Sequence, residues 1–216
     1  YNSLKITKTK KELQDKDLIG FVGAPWTILV YMLHKKSPKD GNFKKHLSDK
    51  IFVNELLEII IKFLKIHIDN QIKSGATIIQ IFDSWAGLLN EEDLENYVYK
   101  PTNNLVNFIK SKKIPSICFP KDIKNYKKYV ALVKPNVVSI DYNVNPVEIA
   151  NTIDITVQGG LNPNLLLGNK EELKRNTLKY LDIFKDKPYI FNLGHGVLPN
   201  TDPSMVDYLV KLIKNY

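Results

Sequence analysis

Six short apolar runs, each followed by a stretch with helical spacing, constrain the fold more than any other feature of this chain. The runs are Leu18–Val22, Thr77–Phe82, Pro115–Phe119, Val137–Ile140, Ile155–Val157 and Tyr189–Leu193, the length of buried strands. In the longest intervening segment Val53, Leu56, Leu57, Ile60, Leu64 and His67 recur at i+3/i+4 intervals, which predicts one apolar helix face. Further helices are expected over Leu94–Ile109, over Lys170–Phe184, and from Pro203, where Asp202 stands as a cap before an N1 proline. Strands that alternate with helices pair in parallel through right-handed crossovers. Closed (β/α)8 barrels have eight such units, and two more would need about 60–80 further residues. The expected fold is therefore α/β, a (β/α)8 TIM barrel with six of its eight units in this chain, read as one incomplete domain over 1–216 whose N-terminal units are missing. An open doubly wound sheet is the rival, disfavoured because no Gly-rich dinucleotide fingerprint follows any strand. Two absent strands would leave open sheet edges and an exposed core, so the chain alone is expected to be unstable or aggregated, and inactive.

Composition narrows the function classes. An apolar fraction of 44% and a charged fraction of 25% are those of an ordinary core-forming protein. No run approaches the roughly 18 apolar residues of a membrane span. Cys118 is the one cysteine, so neither a disulfide scaffold nor a multi-cysteine zinc site can form. The chain opens Tyr1-Asn2-Ser3 without a signal-peptide pattern, and a cytoplasmic protein, a piece of something longer, is expected. The net charge of +8 invites a nucleic-acid reading, but Arg175 is the only arginine among 31 basic residues. Lysine supplies a point charge and not the planar fork that reads phosphates and base edges. What survives is a solvated lysine surface with a weak preference for anionic partners.

In strand–helix proteins the functional groups sit just beyond the carboxyl ends of the strands. After the first strand come Gly23-Ala24-Pro25-Trp26-Thr27 and a short apolar segment with Tyr31. Phe21 and Tyr31 are either the lining of an apolar pocket or core. After the second come Asp83-Ser84-Trp85-Ala86-Gly87. Asp83 is either a site carboxylate or a helix cap, and Ser84 lacks the Gly-x-Ser-x-Gly elbow of a nucleophile. Lys121 follows the third strand as a candidate for an anionic group or as surface, and Cys118 reads as a buried small hydrophobe. Gln158-Gly159-Gly160-Leu161-Asn162-Pro163 is either a loop that turns backbone amides toward a ligand or a plain loop. The sharpest feature is Asn192-Leu193-Gly194-His195-Gly196-Val197-Leu198-Pro199. A histidine between two glycines at a strand's end has no packing explanation, and the glycines permit unusual φ/ψ and close access to the imidazole. By contrast His67 is expected in a core or interface, and His34 and His46 in solvent.

Gly20-Phe21-Val22-Gly23-Ala24-Pro25-Trp26-Thr27 with Tyr31-Met32, then Gln80-Ile81-Phe82-Asp83-Ser84-Trp85-Ala86-Gly87, then Asn192 through Pro199 resemble the uroporphyrinogen decarboxylase family in order and approximate spacing. The resemblance runs from about Asp17 to the C-terminus. It implies a (β/α)8 barrel, usually a homodimer, that removes four acetate carboxyls from uroporphyrinogen III without metal or organic cofactor, in haem and tetrapyrrole biosynthesis. It places the family's substrate-contacting tyrosine on Tyr31, its site serine on Ser84, its site histidine on His195, and an aromatic that packs against the macrocycle on Phe21. Tyr31 and His195 are thus the candidate catalytic residues, and Phe21, Tyr31, Ser84 and His195 the candidate substrate contacts.

Two departures stand out. The family's central aspartate and its carboxylate-clamping arginine pair have no matching residue here. Gly160-Leu161-Asn162-Pro163 replaces the family's usual Asn-Leu-Asp-Pro. The competing readings are an inactive fragment or non-catalytic basic binding protein and, from the same superfamily, a corrinoid-linked methyltransferase. The last needs a thiolate-rich zinc site that a single cysteine cannot supply.

Overall fold

The structure is a computed structural model and describes residues 1–34, 38 and 49–216; His46 lies outside them. Among the described residues the fold is α/β, with six strands and a helix after each. Its residues group into two compact units, Tyr1–Val137 and Val138–Tyr216.

The first unit carries α1 (Asn2–Lys8), β1 (Ile19–Gly23), α2 (Pro25–His34), α3 (Lys50–Lys73), β2 (Ile78–Asp83), α4 (Glu91–Leu94), α5 (Lys100–Ser111), β3 (Ser116–Pro120) and α6 (Tyr126–Val133). β1 and β2 pair in parallel with Phe21 opposite Gln80, and β2 and β3 with Phe82 opposite Phe119. α3 buries Val53, Leu57, Ile60 and Leu64 of the face that the periodicity predicts, adds Ile68, and leaves Leu56 half-buried. His67 is not core on this helix. It is exposed, bonded through Nδ1 to the Tyr1 hydroxyl at 2.7 Å, because it stands one position off the buried stripe. A second stripe on α3, with Phe52, Ile59, Phe63 and Ile66, is exposed.

α3 also closes part of the expected open edge. The buried Gln71 side chain accepts from the Phe21 N–H and donates to the Phe21 carbonyl, both at 2.9 Å, so one residue of the β1 edge has its main-chain groups paired. The helix expected over Leu94–Ile109 starts earlier, at Glu91, because the Asn90 side chain accepts from the Asp93 N–H at 2.9 Å. Between α4 and α5 the chain widens into one π turn over Glu95–Tyr99. Pro101 follows after Lys100; it lacks an N–H and its ring would crowd a regular turn, which the wider turn accommodates.

The second unit contains most of β4 (Val137–Ile140), then α7 (Pro146–Thr152), β5 (Thr156–Gly159), α8 (Lys170–Phe184), β6 (Tyr189–Ile190) and α9 (Pro203–Lys214). β4, β5 and β6 are successive neighbours in their sheet, and β5 and β6 pair in parallel. α8 and the start of α9 fall where the sequence places them, with Asp202 Oδ1 accepting from the Ser204 N–H at 2.8 Å. That bond lowers the Asp202 pKa. β6 is shorter than the apolar run suggests. Asn192 Oδ1 takes the Leu193 N–H at 2.8 Å, and the ladder thins to an isolated bridge between Leu161 and Leu193.

Candidate functional site

In the first unit the candidate residues cluster at the ends of β1 and β2. Pro25 opens α2 directly beyond β1, and the Ala24 N–H donates to the Phe82 carbonyl at 2.8 Å, drawing the start of the helix onto the end of β2. Phe21 and Tyr31 are 66% and 46% exposed, so neither is core. The Phe21 ring meets Phe82 edge-on at 6.1 Å between centroids, and Phe82 meets Phe119 the same way at 6.0 Å. This forms an aromatic row across three strands. Tyr31 meets the Trp85 ring edge-on at 6.0 Å. The structure thus brings Tyr31 beside the segment that carries Ser84, which is half-buried immediately after β2.

Asp83 is neither a helix cap nor a solvent-facing acid. Successive strand residues alternate faces, so Asp83 shares its face with Ile79 and Ile81 and is itself 1% exposed. The Thr27 hydroxyl donates to Asp83 Oδ1 at 2.6 Å and accepts from the Trp85 N–H at 3.2 Å. Trp26 Nε1 donates to the Trp85 carbonyl at 2.9 Å, and the Trp26 ring stacks on Tyr97 at 5.9 Å. Asp83 Oδ2 is buried without a hydrogen-bond partner among the described residues. Burial pushes the Asp83 carboxyl up from 3.8 to about 7, only partly offset by the Thr27 hydrogen bond.

Sequence reasoning passed over Thr27, although it stands four residues before Tyr31 and so shares its helix stripe. Lys121 pairs with the adjacent Asp122, which answers the question of its anion. Cys118 is fully buried, and burial pushes its thiol up to about 12. An inert core residue is what that describes.

In the second unit the loops after β5 and β6 carry the candidate groups. Gly159 and Gly160 have φ of +86° and +102°, a region that glycine alone enters freely. A Cβ on Gly160 would stand 2.6 Å from Tyr180 Cε1. Tyr180 donates its hydroxyl to the Gly160 carbonyl at 2.8 Å, and Tyr189 donates to the Gly159 carbonyl at 2.7 Å. The glycine in place of the family's asparagine therefore makes room for a buried tyrosine. Asn162 keeps a capping role, accepting from the Asn164 N–H at 2.9 Å at the start of the turn Pro163–Leu167.

His195 is exposed in the loop after β6. Its flanking glycines act differently from the sequence expectation. Neither has a positive φ. Gly194 is required by close packing, since a Cβ there would stand 2.5 Å from the Tyr142 nitrogen, whereas Gly196 has open space.

Comparison with known proteins gives a consistent assignment. The uroporphyrinogen decarboxylase (URO-D) family model matches residues 1–216. Uroporphyrinogen decarboxylase of Rickettsia bellii is 42% identical over 219 residues, covering 98% of this chain and 64% of the relative. That of Orientia tsutsugamushi is 39% identical over 224 residues, covering 100% and 65%. The chain thus spans just under two thirds of the length of these curated relatives. Among solved structures, a B12-independent methionine synthase from a Shewanella species has a TM-score of 0.62 at 14% identity, covering 98% of this chain and 64% of that one, a likeness of fold alone. No helix among the described residues is long and apolar enough to cross a membrane. With one family model spanning every residue and relatives at about two-fifths identity along nearly the whole chain, this protein belongs to the uroporphyrinogen decarboxylase family.

Proposed function

We propose that the complete gene product decarboxylates the four acetate side chains of uroporphyrinogen III, giving coproporphyrinogen III in tetrapyrrole biosynthesis. The observation that carries the reading is the family match over residues 1–216. The placement of Tyr31 and Ser84 beyond adjacent strand ends supports it.

The chemistry sets what the protein must supply. Breaking the bond to CO2 leaves an electron pair that needs an acceptor. A proton added to the electron-rich pyrrole makes the ring cationic, and the pair released with CO2 flows into it. The exocyclic carbon then takes up a proton as the ring gives one back. The sink lies within the substrate, so the protein's tasks are to deliver protons, hold the carboxylate in line and exclude water.

In this proposal Tyr31 and Ser84 orient the reacting arm, Phe21 packs against the macrocycle and His195 bonds a propionate or acetate. The exposed Tyr31 phenol, braced against Trp85, has the apolar body and polar tip such a contact needs. A lysine-rich protein at net charge +8 also suits a substrate with eight carboxylates. The proposal includes a homodimer, from the family resemblance, in the cytoplasm. Its test is anaerobic incubation of the complete gene product with uroporphyrinogen III, with products separated by chromatography. Coproporphyrinogen III is the expected product, and a folded protein that forms none refutes the reading. His195→Ala with full turnover would remove only that residue's role.

A further inference from the structure

We propose that the buried pair Thr27–Asp83 is a positioning device, which pegs α2 to the end of β2 and thereby fixes Tyr31 against the Ser84–Trp85 segment. The inference rests on the decarboxylase reading for what Tyr31 and Ser84 touch. The geometry that carries it is independent of the substrate.

Thr27 makes two bonds with one hydroxyl. It donates to Asp83 Oδ1 at 2.6 Å, the last residue of β2, and accepts from the Trp85 N–H at 3.2 Å, two residues further on. Ser84 lies between those two anchor points. Tyr31 stands four residues beyond Thr27 on the same stripe, about 6 Å along the axis, and its ring meets Trp85 at 6.0 Å between centroids. A third tie, from Trp26 Nε1 to the Trp85 carbonyl at 2.9 Å, holds the same segment from the next position of α2. Rotation or sliding of α2 therefore breaks bonds to both sides of Ser84.

A carboxyl with one oxygen unpartnered among the described residues is a poor choice for stability alone, because a buried polar group without a partner costs free energy. What Asp83 offers here is a strong, short acceptor at a fixed point. The titratable groups that act on it come from two elements, Cys118 on β3 and Tyr129 on α6. Burial raises both, and both stay neutral near pH 7. From α2 the Thr27 hydroxyl bonds to it. Asp83 is thus the group here whose charge changes in that range.

The experiment uses the complete gene product labelled with 5-fluorotryptophan and the variants Thr27→Val, Thr27→Ser and Asp83→Leu. Thr27→Val keeps the shape and removes both hydroxyl bonds. It is expected to raise KM for uroporphyrinogen III about tenfold with kcat within threefold, whereas mere loss of folded enzyme lowers kcat and leaves KM unchanged. Thr27→Ser restores KM to within threefold of the parent. Asp83→Leu reproduces the KM effect, and the double variant adds nothing to either alone. In the fluorine spectrum Thr27→Val moves the Trp85 resonance, assigned by Trp85→Phe, and Thr27→Ser returns it. A Thr27→Val protein that keeps both KM and the Trp85 resonance overturns the proposal, as does a shifted KM that serine fails to rescue. Should Thr27→Val fail to fold, an Asp83→Leu protein that keeps both KM and the Trp85 resonance overturns it equally. If the parent consumes no uroporphyrinogen III, the substrate reading falls, while the Trp85 resonance still decides the positioning claim.

Discussion

Replacing Asp83 by asparagine isolates the energetic consequence of burying a carboxyl beside Thr27. In the folded protein the group titrates at about 7, against 3.8 for the ordinary carboxyl, because burial disfavours its charged form. Folding therefore binds a proton between those values, and stability falls as pH rises from about 4 to about 7. At 1.36 kcal/mol per pKa unit the loss is about 4 kcal/mol once the pH exceeds 7. Asparagine keeps the carbonyl that accepts from Thr27 and never ionises. Its amide, placed where Oδ2 has no partner among the described residues, costs about 1–3 kcal/mol at every pH. Asp83→Asn is therefore less stable than the parent at pH 4–5 and comparable or more stable at pH 8. The difference between the two proteins moves by about 4 kcal/mol in favour of asparagine across that range. Urea unfolding followed by tryptophan emission at a series of pH values measures it, and effects of every other titrating group cancel in the difference. A stability difference constant within about 1 kcal/mol from pH 4 to pH 8 would refute the reasoning, since Asp83 would then titrate as an exposed carboxyl.

The loop glycines and the lone cysteine give two more expected outcomes. Gly160→Ala places a methyl 2.6 Å from Tyr180 Cε1 at a φ of +102°, and is expected to cost about 2–3 kcal/mol in urea unfolding. Gly196→Ala meets nothing within 4 Å and should stay within about 0.5 kcal/mol of the parent; equal costs at the two positions would contradict the packing argument. Cys118, fully buried with its thiol pushed up to about 12, should resist a disulfide reagent at pH 8 in the native protein and react at once in denaturant. Rapid native labelling would contradict its burial.

The strands and long helices were legible because burial on a sheet or a helix face imposes periods that one sequence displays. The Val53–Leu64 stripe and the run Thr77–Phe82 needed only counting. The helix starts were less visible: Asn90, Asn125, Asn145 and Asn169 each cap a helix through the side-chain oxygen, yet asparagine is equally at home in loops. The π turn before Pro101 and the shortening of β6 by Asn192 arise from single side chains competing with a ladder, which no period records. Around the candidate site, Tyr31 and Ser84 were found by their place beyond strand ends and by resemblance. Thr27 was missed because a hydroxyl in an apolar helix carries no signal until its partner is known. Gly194 shows the opposite case: the residue was singled out correctly, but its cause is contact with the Asp141–Tyr142 backbone and not a special φ.

The central proposal is that the complete gene product removes the acetate carboxyls of uroporphyrinogen III. Carbon dioxide released by the complete gene product under anaerobic conditions, measured together with chromatography of the remaining porphyrinogens, tests it most directly. The account predicts four CO2 per coproporphyrinogen III, with intermediates of seven, six and five carboxylates appearing in turn. A folded gene product that leaves the eight-carboxylate porphyrinogen unconsumed, or that releases CO2 from the propionate arms, would contradict it.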